Sequence, residues 1–174
     1  NTFTAVNQMW IKGQYNWRRP DVLVFINGMP LVFIELKNGN VPVRQAYTKN
    51  LKSYLTDIPN LFTMNQICVL SNGLETRLGA FNAGYEFYFE WLKNSEEDKI
   101  DREAIKDNAL SIKYMADSLL NKETLIDYIE NFILFENKHI QIIANNHQYL
   151  GVNEAVQAYE ARMLNKGKLG VFWH

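Results

Sequence analysis

The chain has 174 residues, of which 47% are hydrophobic and 13% aromatic, with 18 basic against 19 acidic side chains. This length suits one domain, or a domain with a substantial appendage, and the aromatic content excludes general disorder. No apolar run approaches the roughly 20 residues of a membrane-spanning helix, which excludes a transmembrane protein. A single cysteine, Cys68, excludes a disulfide framework and a multi-cysteine zinc site.

The cellular setting is inferred from the start of the chain and from its cysteine. The sequence has no initiator methionine and no signal-peptide pattern. Cys68 lies in an apolar run, which is typical of a small buried thiol. We therefore expect a fragment of a cytoplasmic protein that has no membrane partner.

The net charge of −1 conceals a difference between the two parts of the chain. Residues 1–79 hold eight basic and four acidic residues, a balance of +4, whereas the remainder holds ten and fifteen, a balance of −5. Such asymmetry is a reason to expect a nucleic-acid-binding face in the first part. Scatter among solvated surface charges is an equal alternative.

The first 81 residues alternate between short apolar runs and turn signals, which is typical of β-strands. We predict strands over 3–11, 22–26, 31–34, 67–70 and 74–81, a hairpin turn at Asn27-Gly28 and a helix over 43–55. The predicted fold class is α/β, with a mixed β-sheet and at least one helix packed on it.

From residue 85 onward, helical patterns dominate the sequence. We predict helices over 85–92, 101–108, 112–120, 122–135 and 146–165, and a short strand over 138–143. Residues 168–174 begin like a buried strand and then stop. We therefore expect the natural protein to continue beyond them.

Three ionisable residues converge at one end of the predicted hairpin. Asp21 begins the first hairpin strand, while Glu35 and Lys37 end the second, so antiparallel pairing brings the three together. Glu35 and Lys37 share a face because side chains alternate along a strand. Charges at the edge of an apolar sheet are costly unless they pair or bind a metal.

This trio suits metal-assisted hydrolysis of a phosphodiester bond. Asp21 and Glu35, together with the main-chain carbonyl of Leu36, would supply the hard oxygen ligands that Mg²⁺ prefers. The metal would activate a water, and Lys37 would orient it or stabilise the transition state. The residues follow the PD-(D/E)xK pattern, with thirteen residues between Asp21 and Glu35. A Glu–Lys pair on the surface at a strand end is the alternative.

Further polar residues surround the trio in the sequence. Phosphate contacts are predicted for Arg18, Arg19, Arg44, Lys49 and Lys52, each of which could equally be an ordinary solvated side chain. Asn50 and Tyr54 lie one helical turn apart and could position backbone or catalytic groups. Core packing is the favoured role for Tyr54.

Several stretches closely resemble the nuclease region of the restriction (R) subunit of type I restriction enzymes. The likeness is carried by residues 18–38, 57–62, 69–73, 146–153 and 167–174. It implies a restriction-endonuclease-like core over 1–93, a helical extension over 94–145 and the start of an ATP-dependent motor domain over 146–174.

The resemblance also implies an activity and partners. Enzymes of this family cut double-stranded DNA at sites remote from the recognition sequence once an ATP-driven translocase in the same polypeptide stalls. Their partners are methyltransferase (M) and specificity (S) subunits. Gln148 resembles the glutamine that recognises adenine in such motors. The chain holds no G-x-x-x-x-G-K-[ST] loop, so ATP binding is expected only with a downstream motor domain.

Two departures from the family pattern affect these expectations. Asn50 stands where relatives with a Gln-x-x-x-Tyr motif place glutamine, so only Tyr54 of that motif is kept. No acidic residue precedes Asp21, so a third acidic ligand would lie upstream and metal affinity would be weak. The rival hypothesis is a non-catalytic DNA-binding or coupling module that keeps the nuclease fold.

Overall fold

A computed structural model describes residues 1–95, 97–137 and 139–170. The strands are β1 (Phe3–Asn7), β2 (Ile11–Lys12), β3 (Trp17–Arg18), β4 (Val22–Ile26), β5 (Met29–Leu36), β6 (Ile67–Ser71), β7 (Thr76–Gly79), β8 (Ile133–Glu136) and β9 (Ile140–Ile143). The α-helices are α1 (Lys52–Asp57), α2 (Arg102–Asp107), α3 (Ser111–Ser118), α4 (Lys122–Asn131) and α5 (Asn146–Glu160). A π-helical turn over Ala46–Leu51 precedes α1, and short 3₁₀ turns cover Pro59–Thr63, Tyr85–Phe87 and Ala161–Met163.

A five-stranded sheet with the order β1-β4-β5-β6-β7 forms the centre of the fold. The β5–β6 pair is parallel and the other three pairs are antiparallel, so the predicted mixed sheet is confirmed. The turn between β4 and β5 is also confirmed, since Asn27 and Gly28 have φ angles of 52° and 83°. Two left-handed residues match the twist of a tight hairpin.

The first predicted strand, over 3–11, is wrong after Asn7. Gln8 adopts a left-handed backbone with φ of 50°, which turns the chain out of the sheet. The chain then forms the separate β2–β3 ribbon and returns to the sheet beside Asp21, whose carbonyl accepts a hydrogen bond from the Gln8 N–H at 2.8 Å.

Side chains alternate between two hydrophobic cores on the opposite faces of the sheet. On one face, Val32, Ile34 and Val69 belong to a core that also contains residues of α3 and α4. On the other face, Phe33 and Leu70 pack with the helical segment 46–58. The period of two along β5 therefore produces three layers, helix–sheet–helix, and confirms the predicted helical cover.

The predicted helix over 85–92 is wrong. Beyond the 3₁₀ turn the chain is extended, and Phe89 exchanges two main-chain hydrogen bonds with Leu78, at 2.9 and 3.1 Å. Tyr88 is buried in the core beside α1, whereas Trp91 is buried in the core beside α4. Residues three apart would share a face of a helix, so reaching both cores requires extended backbone.

Several element boundaries also differ from the prediction. The helix predicted over 122–135 ends at Asn131 because Ile133–Glu136 pair with Ile140–Ile143 as the β8–β9 hairpin. The helix predicted to reach 165 ends at Glu160. The final part of the predicted strand over 168–174 falls on 171–174, outside the described residues.

The predicted extension, residues 94–145, is not separate from the sheet in its packing. Met115 and Leu119 on α3, with Leu125 and Tyr128 on α4, share one core with Val32 and Val69. The boundaries proposed near residues 93 and 145 stay predictions. Within the described ranges, no helix is long and apolar enough to cross a bilayer.

Truncation of Met115 tests whether α3 is part of the sheet's core. Met115 is fully buried, so Met115→Ala should lower the free energy of unfolding by about 2–5 kcal/mol in a denaturant titration. Met64 is half exposed, so the matched Met64→Ala change should cost less than about 0.5 kcal/mol. Equal effects of the two changes would contradict the packing of α3 on the sheet.

Candidate functional site

The open end of the β4–β5 hairpin brings Asp21, Glu35 and Lys37 together. Val22 pairs with Ile34 in the ladder, which places the preceding residue, Asp21, opposite Glu35. The Asp21 carboxylate accepts a hydrogen bond from the Leu36 N–H at 2.8 Å. The predicted convergence of the three residues is therefore present in the structure, and the chemical role assigned to them stays a prediction.

Glu35 is a buried carboxylate, with only 2% of its surface exposed. Its Oε1 accepts a hydrogen bond from Lys37 Nζ at 2.6 Å, whereas its Oε2 has no hydrogen-bond partner among the described residues. Burial raises the pKa of Glu35 above its ordinary value; the bond from Lys37 opposes this rise and the neighbouring Asp21 charge adds to it. A buried carboxylate oxygen without a donor is a natural ligand for a cation.

The Lys37 ammonium lies between two oxygen atoms that the sequence assigned to a metal. Its Nζ is 2.6 Å from Glu35 Oε1 and 3.2 Å from the Leu36 carbonyl oxygen. Two oxygen atoms therefore already stabilise a positive charge at this position. The surface-pair alternative is wrong in its geometry, because the carboxylate of this pair is buried and the Lys37 side chain is only 19% exposed.

Tyr54 covers the site from the helical layer. Its ring packs edge-on against Phe33, with centroids 5.6 Å apart, and its hydroxyl donates to the Arg19 carbonyl at 3.3 Å. Burial and the nearby Glu35 charge raise the pKa of Tyr54 to about 12, and Asn50 acts in the opposite direction. Tyr54 is therefore both a core residue, as favoured from the sequence, and a neighbour of the carboxylates.

The five predicted phosphate contacts occupy different surroundings. Arg18 forms an ion pair with Asp57, its Nε lying 2.6 Å from the carboxylate. The guanidinium groups of Arg19 and Arg44 lie over the rings of Trp10 and Tyr85, and the Lys52 ammonium lies over Tyr47. Lys49 is exposed on the π-helical turn. Arg18 is thus engaged within the chain, and the other four face outward.

Asp57 is a structural residue that the sequence did not single out. Its carboxylate accepts hydrogen bonds from Asn16, at 2.9 Å, and from Arg18, and these bonds hold the pKa of Asp57 below its ordinary value. It ends α1 and so joins this helix to the β2–β3 ribbon. Neither residue partner is close in sequence, so no local pattern signalled the link.

Gln148 lies apart from the carboxylates. Its Oε1 accepts a hydrogen bond from the Asn145 N–H at 2.7 Å and completes the capping box that starts α5. It also lines a cleft of about 710 Å³ with Phe87 and Ile142, and none of the three predicted catalytic side chains lines this cleft. The adenine contact predicted for Gln148 stays a prediction.

The donor set fits a hard divalent cation. Among the described residues, no group of three or more His, Cys, Asp or Glu side chains could hold a metal ion. The candidate ligands are therefore two carboxylates, Asp21 and Glu35, and the Leu36 carbonyl. Mg²⁺ is commonly held by one or two carboxylates and keeps several waters, so such an incomplete set suits it.

The comparisons with known proteins identify the family. Residues 1–87, which include Asp21, Glu35 and all five strands of the central sheet, match the family described as the type I restriction enzyme R protein N terminus. The chain belongs to this family. The type I restriction enzyme HindI endonuclease subunit of Haemophilus influenzae is 38% identical over 100% of the chain and 17% of its own length.

Two further relatives are also named as endonuclease subunits of type I restriction enzymes. The type I restriction enzyme SauCOLORF180P endonuclease subunit of Staphylococcus aureus is 27% identical over 100% of the chain and 18% of its own length. The EcoprrI endonuclease subunit of Escherichia coli is 29% identical over 75% of the chain and 41% of its own length. The chain thus spans about a sixth of the length of the H. influenzae relative, at 17%.

Replacement of Glu35 by glutamine tests the cost of its buried charge. The pKa of Glu35 is higher in the folded chain than its ordinary value, so the folded chain binds the proton more tightly than the unfolded chain does. Protonated Glu35 therefore stabilises the fold at low pH, and this contribution is lost as the pH rises through the folded pKa. Glu35→Gln should therefore raise the free energy of unfolding at neutral pH, in chelator, and the gain should vanish at acid pH, where Glu35 itself is uncharged.

Glu75 provides a control for the pH experiment. Its carboxylate also pairs with a basic side chain, Arg77, but is 34% exposed. Glu75→Gln should give no such gain at neutral pH. Destabilisation by Glu35→Gln at neutral pH would show that the ion pair with Lys37 outweighs the burial of the carboxylate.

Proposed function

We propose that the chain is the metal-dependent endonuclease domain of a type I restriction enzyme R subunit, which hydrolyses phosphodiester bonds of double-stranded DNA. The observation that carries the proposal is the hairpin end, where Asp21 and the buried, half-satisfied Glu35 carboxylate meet Lys37. The names of the relatives, which are endonuclease subunits, agree with this reading.

Asp21, Glu35 and the Leu36 carbonyl would hold Mg²⁺ at this site. When bound, the ion would supply Lewis acidity that lowers the pKa of a water and stabilises charge on the phosphate. Burial of Glu35 keeps its carboxylate poorly solvated, so it retains its affinity for a cation. The Leu36 N–H fixes the Asp21 carboxylate at 2.8 Å, which limits the reorganisation needed for binding.

Lys37 would contribute after it leaves its position between Glu35 and the Leu36 carbonyl. Its stem is flexible and its ammonium is a compact charge with three donors. From the same edge it can orient the attacking water or donate to the phosphate oxygens as negative charge develops. Lys37 would thus neutralise Glu35 in the metal-free chain and assist hydrolysis when the metal is bound.

The wider setting follows from the family and is likewise proposed. The chain would act in the cytoplasm within a complex that contains M and S subunits, and cleavage remote from the recognition site would be coupled to ATP-driven translocation. The nucleotide would require a motor domain downstream of residues 146–174. A non-catalytic coupling module with the same fold is the alternative, and the Lys37 ammonium, which already pairs with the Glu35 carboxylate, favours it.

Removal of single site residues separates these two hypotheses. Asp21→Ala or Lys37→Ala should lower the rate of DNA cleavage by the full-length complex at least about a hundredfold, while the rates of ATP hydrolysis and translocation stay unchanged. Glu75→Ala, which removes a carboxylate outside the site, should leave the rates of cleavage, ATP hydrolysis and translocation unchanged. Normal cleavage by either site variant would overturn the assignment and support the coupling module.

Metal binding by the 174-residue chain provides an independent measurement. Asp21→Ala should weaken Mn²⁺ binding in calorimetry because it removes one of two carboxylates. Lys37→Met should strengthen that binding, by roughly fivefold or more, because the ammonium lies beside the same oxygens and repels the ion. Weaker binding by Lys37→Met would contradict the shared position of the ammonium and the metal.

A further inference from the structure

Residues 9–19, here called the aromatic ribbon, lie between β1 and β4 in the chain and form a separate two-stranded ladder. Ile11 pairs with Arg18 and Lys12 with Trp17 in its short antiparallel ladder. The ribbon ends at Arg19, two residues before Asp21, and the carbonyl of Arg19 accepts the Tyr54 hydroxyl. The Arg19 end of the ribbon therefore lies beside the carboxylates.

The turn of the ribbon, residues 13–16, and the neighbouring Arg18 are held against the end of α1 by Asp57. The Asp57 carboxylate accepts hydrogen bonds from Asn16 and Arg18, at 2.9 and 2.6 Å. Gly13 approaches the Asp57 main chain so closely that a Cβ atom at this position would lie 1.8 Å from the carbonyl oxygen. These contacts fix the ribbon on the end of α1, so it has a defined position in the fold.

The large side chains of this fixed ribbon point to solvent. Trp10 is 60% exposed, Tyr15 85% and Trp17 57%, whereas Trp91 is buried in the core. Large exposed apolar side chains that are grouped on one anchored segment are typical of an interaction site. Two tryptophans on one short ribbon are suited to a partner with flat apolar faces.

The charge of the ribbon specifies the chemistry of that partner. Residues 1–20 contain no acidic side chain. The Lys12 ammonium lies 5.9 Å from the Trp17 ring centroid, and the Arg19 guanidinium lies 5.2 Å from that of Trp10. Cations interleaved with exposed aromatic rings match the phosphates and the base faces of a single nucleic-acid strand.

We propose that the aromatic ribbon binds unpaired DNA bases next to the phosphate that is cleaved. Trp10 and Trp17 provide stacking platforms, and Lys12 and Arg19 contact the adjoining phosphates. Arg18 acts differently, as an anchor to Asp57. The inference rests on the proposed function and adds a substrate feature to it, namely that DNA strands are locally separated at the site.

Binding of a short oligothymidylate to the 174-residue chain, followed by tryptophan fluorescence in chelator, tests this proposal. Trp173, which lies outside the described residues, is replaced by Phe in every variant. Because Trp91 is buried, quenching then reports Trp10 and Trp17. Trp10→Ala and Trp17→Ala should each raise the Kd by roughly tenfold, and Trp→Phe at either position should restore most of the affinity.

Tyr159 offers a matched control on α5. It is 56% exposed and carries the Arg162 guanidinium 4.0 Å from its ring centroid, so it reproduces a cation over an exposed ring. Tyr159→Ala should leave the Kd unchanged. The proposal is overturned by an unchanged Kd for Trp10→Ala and Trp17→Ala, by an equal loss for Tyr159→Ala, or by equal binding of a duplex of the same length.

The outcome is independent of catalysis, because the binding measurement needs neither metal nor cleavage. Loss of strand binding in the ribbon variants together with normal cleavage by Asp21→Ala would sustain the ribbon and refute the nuclease site. The opposite pair of results would refute the ribbon alone. Circular dichroism of each variant should match that of the natural chain, since the altered side chains are exposed.

Discussion

The burial of the Glu35 carboxylate is the constraint on which the rest of the site depends. Glu35 lies on β5, which is paired on one side with β4 and on the other with β6. Its side chain is on the face of the sheet that Phe33 presents to the helical segment 46–58, and it is 2% exposed. Its negative charge must therefore be stabilised by nearby side chains. Among the described residues, Lys37 donates a hydrogen bond to Oε1, and Oε2 has no partner.

The hydrophobic cores make this arrangement hard to escape. Phe33 and Ile34 belong to opposite cores, so the register of β5 is fixed from both faces. A slip of one residue would exchange the faces of the whole strand and place Glu35 among the residues of α3 and α4. The apolar packing thus holds a costly carboxylate in one position, and stability that the cores provide offsets an electrostatic penalty at the site.

The sequence predicted the parts of the fold in which local and tertiary signals agree. The hairpin combined Asn27-Gly28 with two β-branched runs, and its register then placed Asp21 opposite Glu35. The helix prediction over 85–92 was wrong because the spacing of the aromatic residues is compatible with a helix, whereas Tyr88 and Trp91 are buried in different cores. Only tertiary structure decides between these outcomes.

The same limit applies to the site. Proximity of the three charged residues followed from strand pairing, but the unsatisfied Glu35 oxygen and the position of the Lys37 ammonium depend on side-chain packing that no spacing encodes. The link from Asp57 to Asn16 and Arg18 joins residues about 40 positions apart, with separations of 41 and 39. Local sequence patterns do not predict these contacts, because they form only after Gln8, with its left-handed backbone, has turned the chain out of the sheet.

Ion pairing within residues 1–79 shows which part of their positive charge is left uncompensated. Of the eight basic residues, three pair inside the chain: Arg18 with Asp57, Lys37 with Glu35 and Arg77 with Glu75. Each pair also removes an acid, so five basic residues and Asp21 account for the whole balance of +4.

Those five basic residues are Lys12, Arg19, Arg44, Lys49 and Lys52. All but Lys49 lie over an aromatic ring, on the ribbon or around the π-helical turn. A ring cannot neutralise a cation as a carboxylate does, because it leaves the full charge in place. The balance of +4 in residues 1–79 is therefore carried by cations that keep their charge and are not ion-paired within the described ranges, which is the condition for a salt-dependent attraction of anions.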